Sequence, residues 1–108
     1  MTITVKQREA KILEFAILAD GVAADLSTAT LSFAAKLKLS DTEFAIEKSN
    51  ADFDVAEADA GIVSVLLDSD DLDLAPGTYR GELRIEFADG AIDKSDTMEI
   101  TIVEAITD

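Results

Sequence analysis

From residue 79 to 87, apolar and charged side chains take strict turns. Tyr79, Gly81, Leu83, Ile85 and Phe87 fall on one parity, and Arg80, Glu82, Arg84 and Glu86 on the other. Side chains of an extended strand alternate between its two faces, so this pattern fits a strand with one dry and one wet side and fits no helix. The same period returns in Leu31, Phe33, Ala35, Leu37 and Leu39 against Thr30, Ser32, Ala34, Lys36 and Lys38, and in Met98, Ile100 and Ile102 against Thr97, Glu99 and Thr101. Weaker runs cover residues 2–6, 11–19 (Leu13, Phe15 and Ile17 inward), 43–48 (Phe44 and Ile46), 52–56 (Phe53 and Val55) and 62–67. The sum is about seven or eight short strands.

Turn-forming pairs punctuate these runs at Asp20-Gly21, Ser40-Asp41, Ser49-Asn50, Ala60-Gly61, Pro76-Gly77 and Asp89-Gly90. Asp89-Gly90 between two alternating strands predicts an antiparallel hairpin closed by a type I′ turn, with positive φ at both central residues. Residues 68–74 break the alternation. Asp68 and Ser69 ahead of Leu72 suit a capped single helical turn between two strands. Many short strands with turns every eight to twelve residues predict an all-β fold, an immunoglobulin-like antiparallel β-sandwich.

Composition limits the chemistry. The 108 residues have room for one core, read as a single domain over 1–108, and contain neither cysteine nor histidine. That removes disulfides, thiolate nucleophiles, imidazole ligands and the Ser-His-Asp triad. With 23 acidic and 9 basic residues the net charge is −14, a field that repels nucleic acid and anionic membranes, and neither is an expected partner. The first residues alternate rather than forming a signal peptide, and no apolar run approaches the roughly 18 residues of a membrane span. The expectation is a chain made in the cytoplasm.

The run Asp70-Asp71-Leu72-Asp73-Leu74-Ala75-Pro76-Gly77-Thr78-Tyr79-Arg80-Gly81-Glu82-Leu83, continued by Ile85-Glu86-Phe87-Ala88-Asp89-Gly90, resembles the amino-terminal domain of phage baseplate upper proteins and related small immunoglobulin-like domains of tailed-phage virions. Upstream, Asp25-Leu26 leading into Leu31-Ser32-Phe33 and the Gly61-initiated strand follow the same order, so the likeness covers about residues 10–103. The resemblance implies a structural virion component without catalysis or cofactor. Its implied partners are other virion proteins and further copies of itself. Residues 1–9 and 104–108, outside the matched core, are the expected interaction arms.

Individual residues sharpen or blunt that picture. Asp68, Asp70, Asp71 and Asp73 offer clustered oxygens, as a calcium loop does. Their spacing misses the EF-hand pattern, since counting from Asp68 puts Asp73 at the glycine position and Tyr79 at the glutamate position. A solvated, helix-capping acidic turn is the competing reading. Asp52 and Asp54, on one face of an expected strand, have the spacing of an acid–base pair, but so acidic a chain makes such pairs commonplace. Pro76, Gly77 and Tyr79 read as structural, with the tyrosine hydroxyl bonding back to the upstream turn as in a tyrosine corner. Asp89 and Gly90 form the hairpin. Phe15, Phe33, Phe44, Phe53 and Phe87 all take inward positions and read as core.

Lys36 and Lys38 share one strand face, as do Arg80 and Arg84, which is how solvent faces are built; two basic groups in an acidic field are also a candidate contact surface. The residue inventory supplies no nucleophile or base beyond Ser, Thr and carboxylates, so no enzyme is expected. Two functional readings stand: a structural protein of a tailed-phage particle, and a surface or adhesin-like module that binds a glycan or protein through loops 40–42 and 49–52.

Overall fold

The computed structural model describes residues 2–107. Among them the chain forms eleven short strands: β1 (Thr2–Lys6), β2 (Lys11–Ala16), β3 (Leu18–Ala19), β4 (Val22–Ala23), β5 (Thr30–Lys36), β6 (Ile46–Lys48), β7 (Phe53–Asp54), β8 (Ile62–Leu67), β9 (Gly77–Glu86), β10 (Ile92–Lys94) and β11 (Met98–Val103). The only helical pieces among the described residues are 3-10 turns at Asn50–Asp52 and Ala58–Ala60, and no helix is long and apolar enough to cross a membrane.

Apart from β3 and β4, which pair as a separate two-stranded ribbon, one sheet runs β1-β11-β9-β5-β6, with β10 alongside β9, and a second runs β2-β8-β7. In immunoglobulin terms these are strands A′GFCC′ and BED, the arrangement of a sandwich with an added C′ strand. The fold is therefore the expected immunoglobulin-like β-sandwich. One pairing departs from the antiparallel expectation: β1 lies parallel to β11, in register from Thr2↔Glu99 to Lys6↔Val103. The chain then crosses between sheets through Gln7 and Arg8, so no hairpin dictates the direction of β1. Residues 1–9, expected as an arm, are thus mostly built into the sheet, and Met1 lies outside the described residues.

Alternation places the core. Leu31, Phe33 and Ala35 of β5, Tyr79, Leu83 and Ile85 of β9, and Met98, Ile100 and Ile102 of β11 all face Leu13 and Phe15 of β2 and Val63, Val65 and Leu67 of β8. Each large side chain so buried contributes roughly 1.5–3 kcal/mol. In antibody domains a disulfide joins strands B and F, its F-strand cysteine two residues after the corner tyrosine. Here that position is Gly81, and the Phe33 ring covers it, with Phe15 from the opposite sheet against Phe33 at a centroid distance of 6.1 Å. An aromatic plug fills the place of the bond.

Several expectations give way at strand ends. β5 stops at Lys36, because β6 pairs with it only as far as Ala35 and β9 only as far as Lys36. Leu37 and Leu39, expected inward, are exposed beside the turn in which the Asp41 N–H donates to the Lys38 carbonyl. Phe44 and Val55, also expected in the core, are exposed too. The run 11–19 splits at Ile17, whose N–H donates to Gly61 O and whose carbonyl accepts from Ala24 N–H.

The two Asp-Gly turns exchange roles. Asp20 (φ 52°) and Gly21 (φ 79°) both adopt left-handed backbone and close the β3–β4 hairpin as a two-residue loop. At Asp89-Gly90, expected to be type I′, only Gly90 does so (φ 93°). The Asp89 carboxylate accepts the Ala91 N–H at 2.9 Å, and Gly90 N–H donates to Phe87 O at 2.9 Å. The result is a three-residue loop of the type I plus bulge kind.

Candidate binding surface

The acidic turn is used up locally. Asp68 Oδ1 accepts the Asp71 N–H at 2.9 Å while Asp71 Oδ2 accepts the Asp68 N–H at 2.9 Å, a reciprocal cap; the expected helical turn is here a hydrogen-bonded turn closed by Leu72 N–H to Asp68 O. The Asp71 N–H holds the Asp68 carboxyl below its ordinary value of 3.8. Lys48 Nζ sits 2.6 Å from Asp71 Oδ2, and that bond raises the ammonium above its usual 10.5 against the opposing pull of burial. Asp73 takes Arg8 at 3.5 Å. Among the described residues, Asp68, Asp70, Asp71 and Asp73 form no group of three or more ligands placed to share a cation.

Asp52 and Asp54 do not share a strand face. Asp52 ends the 3-10 turn and accepts the Ser49 N–H at 2.9 Å, which lowers its pKa from 3.8. Asp54 alone lies on β7 and accepts the Ala56 N–H. The Tyr79 ring is buried and its hydroxyl donates to Ala75 O at 2.8 Å, pinning the turn that carries Pro76 and Gly77 to the first residues of β9. This is tyrosine-corner geometry. These contacts shape the fold.

The outer face of the larger sheet is different. Strand register sets Lys36 directly opposite Arg80 and Arg84 directly opposite Lys94. Four of the nine basic side chains of a −14 protein therefore stand on one surface, interleaved with Glu82, Glu86 and, directly opposite Arg80, Glu99. Like charges in directly opposed positions repel. Arg84 finds Glu86 at 3.1 Å and Lys94 reaches Glu82 at 4.0 Å, but Lys36 and Arg80 join none of the ion pairs among the described residues. Lys36 instead lies over the Phe44 ring, 5.1 Å from its centroid.

Two shallow clefts cross this face and share Ala34, Phe44 and Glu82. One, of about 200 Å³, runs between Lys36, Arg80 and the exposed Leu39; the other, of about 400 Å³, runs past Arg84 and Lys94. Small Ser32 and Ala34 on β5 line the larger cleft, where larger side chains would fill the groove. The surface thus offers unpaired positive charge beside exposed apolar area, which suits an acidic, partly apolar protein surface.

The sequence singled out Lys36, Lys38, Arg80 and Arg84, and the structure brings together all but Lys38, which lies past the end of β5. Lys94 escaped notice, though the Asp89-Gly90 hairpin could have set it opposite Arg84. Phe44 and Leu39, which the period-two pattern places in the core, line this surface instead. Of the loops expected to bind a ligand, 49–52 is braced by Asp52, and the Asn50 side chain accepts the Leu31 N–H at 2.8 Å.

No protein-family model matches the chain, and no curated protein sequence does. Among solved structures it is similar to CopC from Methylosinus trichosporium OB3b, with 16% identity, TM-score 0.53, and coverage of 96% of this chain and 85% of that one. Murine CRIg gives 12% identity and TM-score 0.47 over 94% and 92%, and AggA, the major subunit of aggregative adherence fimbriae type I from Escherichia coli, 13% and 0.36 over 94% and 89%. These likenesses concern fold: the chain is a small all-β domain of the immunoglobulin-like sandwich type.

Proposed function

We propose that this chain is a non-catalytic assembly domain that docks a neighbouring protein on the outer face of β5, β9 and β10. Its setting is the tailed-phage particle that the sequence resemblance implies. The observation that carries the reading is the Lys36–Arg80 pair, two like charges held opposite each other and joined to no carboxylate in an ion pair among the described residues, although Glu99 faces Arg80 from β11, beside exposed Phe44 and Leu39. A buried acidic partner side chain relieves that repulsion and covers the apolar area in one step. Catalysis has no comparable support, because the carboxylates with lowered pKa serve as backbone caps.

Immunogold electron microscopy of particles released by the source culture tests the setting, with antibody against this chain and a particle-free lysate as control. Regular labelling at one location on the particle is the expected result. Unlabelled particles with the protein left in the soluble or cell-surface fraction would overturn it in favour of a surface binding module.

A further inference from the structure

The face opposite the cationic one has the complementary make-up. The outward positions of the smaller sheet are Ile12, Glu14 and Ala16 on β2, Asp54 on β7, and Ile62, Ser64 and Leu66 on β8, with no cation among them. Register places Glu14 and Asp54 on either side of Ser64, and Ile12 directly opposite Leu66. Ile12 is 70% and Leu66 49% exposed, a cross-strand apolar pair left in water. Glu57 adds a third carboxylate around a hollow of about 120 Å³ beside Glu14 and Asp54. Here a row of negative charge adjoins an exposed apolar pair. On the other side of the sandwich Lys36 and Arg80, the two cations of that face outside any ion pair among the described residues, adjoin exposed Leu39 and Phe44, with Glu82 and Glu99 as neighbours.

We propose that copies of this chain stack face to back, the Lys36–Arg80 face of one copy seated on the Glu14–Asp54 face of the next. This deepens the docking reading above, and rests on it, by naming the neighbour as a second copy. Charge complementarity is the reason. An acidic partner is what the cationic face selects, and the same chain carries an acidic surface with apolar residues at the matching place. The two surfaces lie on opposite sides of one sandwich, so the contact is heterologous and leaves a free face at each end, generating an open row or a closed ring. Overall repulsion between −14 chains opposes this at long range. Physiological salt screens it beyond about 8 Å while close contact charges are screened less.

Sedimentation velocity on the full chain, from micromolar to millimolar concentration, tests the stacking. The wild type should associate progressively with concentration, and less at 500 mM than at 50 mM salt. Lys36→Gln with Arg80→Gln makes one variant, and Glu14→Gln with Asp54→Asn a second. Each alone should sediment as a monomer, and an equimolar mixture should give a 1:1 dimer and nothing larger, since each variant keeps one competent face. Circular dichroism melts matching the wild type establish that both remain folded. A wild type monomeric throughout overturns the proposal, as does either variant associating like the wild type, or a mixture that stays monomeric. Particles labelled by antibody together with a monomeric chain would point to a different acidic protein as neighbour. Stacking without particle labelling would leave the contact intact and remove the virion setting.

Discussion

Phe33 Cζ lies 2.7 Å from the point where a Cβ on Gly81 would stand. Glycine at this position in β9 is what lets the aromatic ring occupy the space between the sheets. Gly81→Val should therefore overpack the core and destabilise by about 1–3 kcal/mol in urea titration. Pairing it with Phe33→Leu should recover part of that loss, giving a favourable coupling in a double-mutant cycle. Strictly additive losses would show that the ring does not set the requirement.

Tyr79→Phe removes one hydroxyl and leaves the ring in place. The Ala75 carbonyl loses its donor, so the variant should be less stable by about 1 kcal/mol at an unchanged denaturant slope. No change in midpoint would mean that the corner bond contributes nothing to holding the turn before β9.

Gly21 and Gly61 share the same φ of 79° but not the same surroundings. A Cβ on Gly21 meets nothing within 4 Å, whereas one on Gly61 would sit 2.7 Å from Ile17 O. Gly21→Ala should cost about 1–2 kcal/mol, the price of left-handed backbone alone. Gly61→Ala should cost clearly more, and equal melting temperatures for the two variants would contradict the crowding.

The caps predict an acid dependence. Asp52 and Asp68 have folded pKa values below the ordinary 3.8, so the stability they contribute is complete above that value and is lost as pH falls through the lower folded ones. Lys48 runs the other way: its contribution is complete below 10.5 and is lost as pH rises through the raised folded value. Asp52→Asn and Asp68→Asn should each melt below the wild type at neutral pH, with the gap closing in acid. A gap that stays constant down to about pH 2 would mean that these carboxylates are not linked to folding.

How much of this was legible in the sequence follows from range. Period-two alternation located β5, β9 and β11, because it is written within each strand, and Asp68 with Tyr79 announced a cap and a corner through neighbours a few residues away. The β9–β10 hairpin was legible through Asp89-Gly90, but the other pairings are long-range and were not. Nothing local to Leu37 or Leu39 tells that the partners of β5 end at Lys36, and nothing in Phe44 tells that its strand starts only at Ile46. The parallel seating of β1 on β11 and the confrontation of Lys36 with Arg80 depend on register across tens of residues. The residues of the candidate surface were therefore half visible, but the surface itself was not.

Docking through the outer face of β5, β9 and β10 is tested most directly by zero-length carbodiimide cross-linking of the assembled protein, read by mass spectrometry. The reagent joins lysines only to carboxylates in direct contact. Intermolecular links concentrated at Lys36 and Lys94 are the predicted result. Links concentrated instead at Lys6 and Lys11, on the β1 and β2 strands, with Lys36 and Lys94 unmodified by any neighbour, would contradict it.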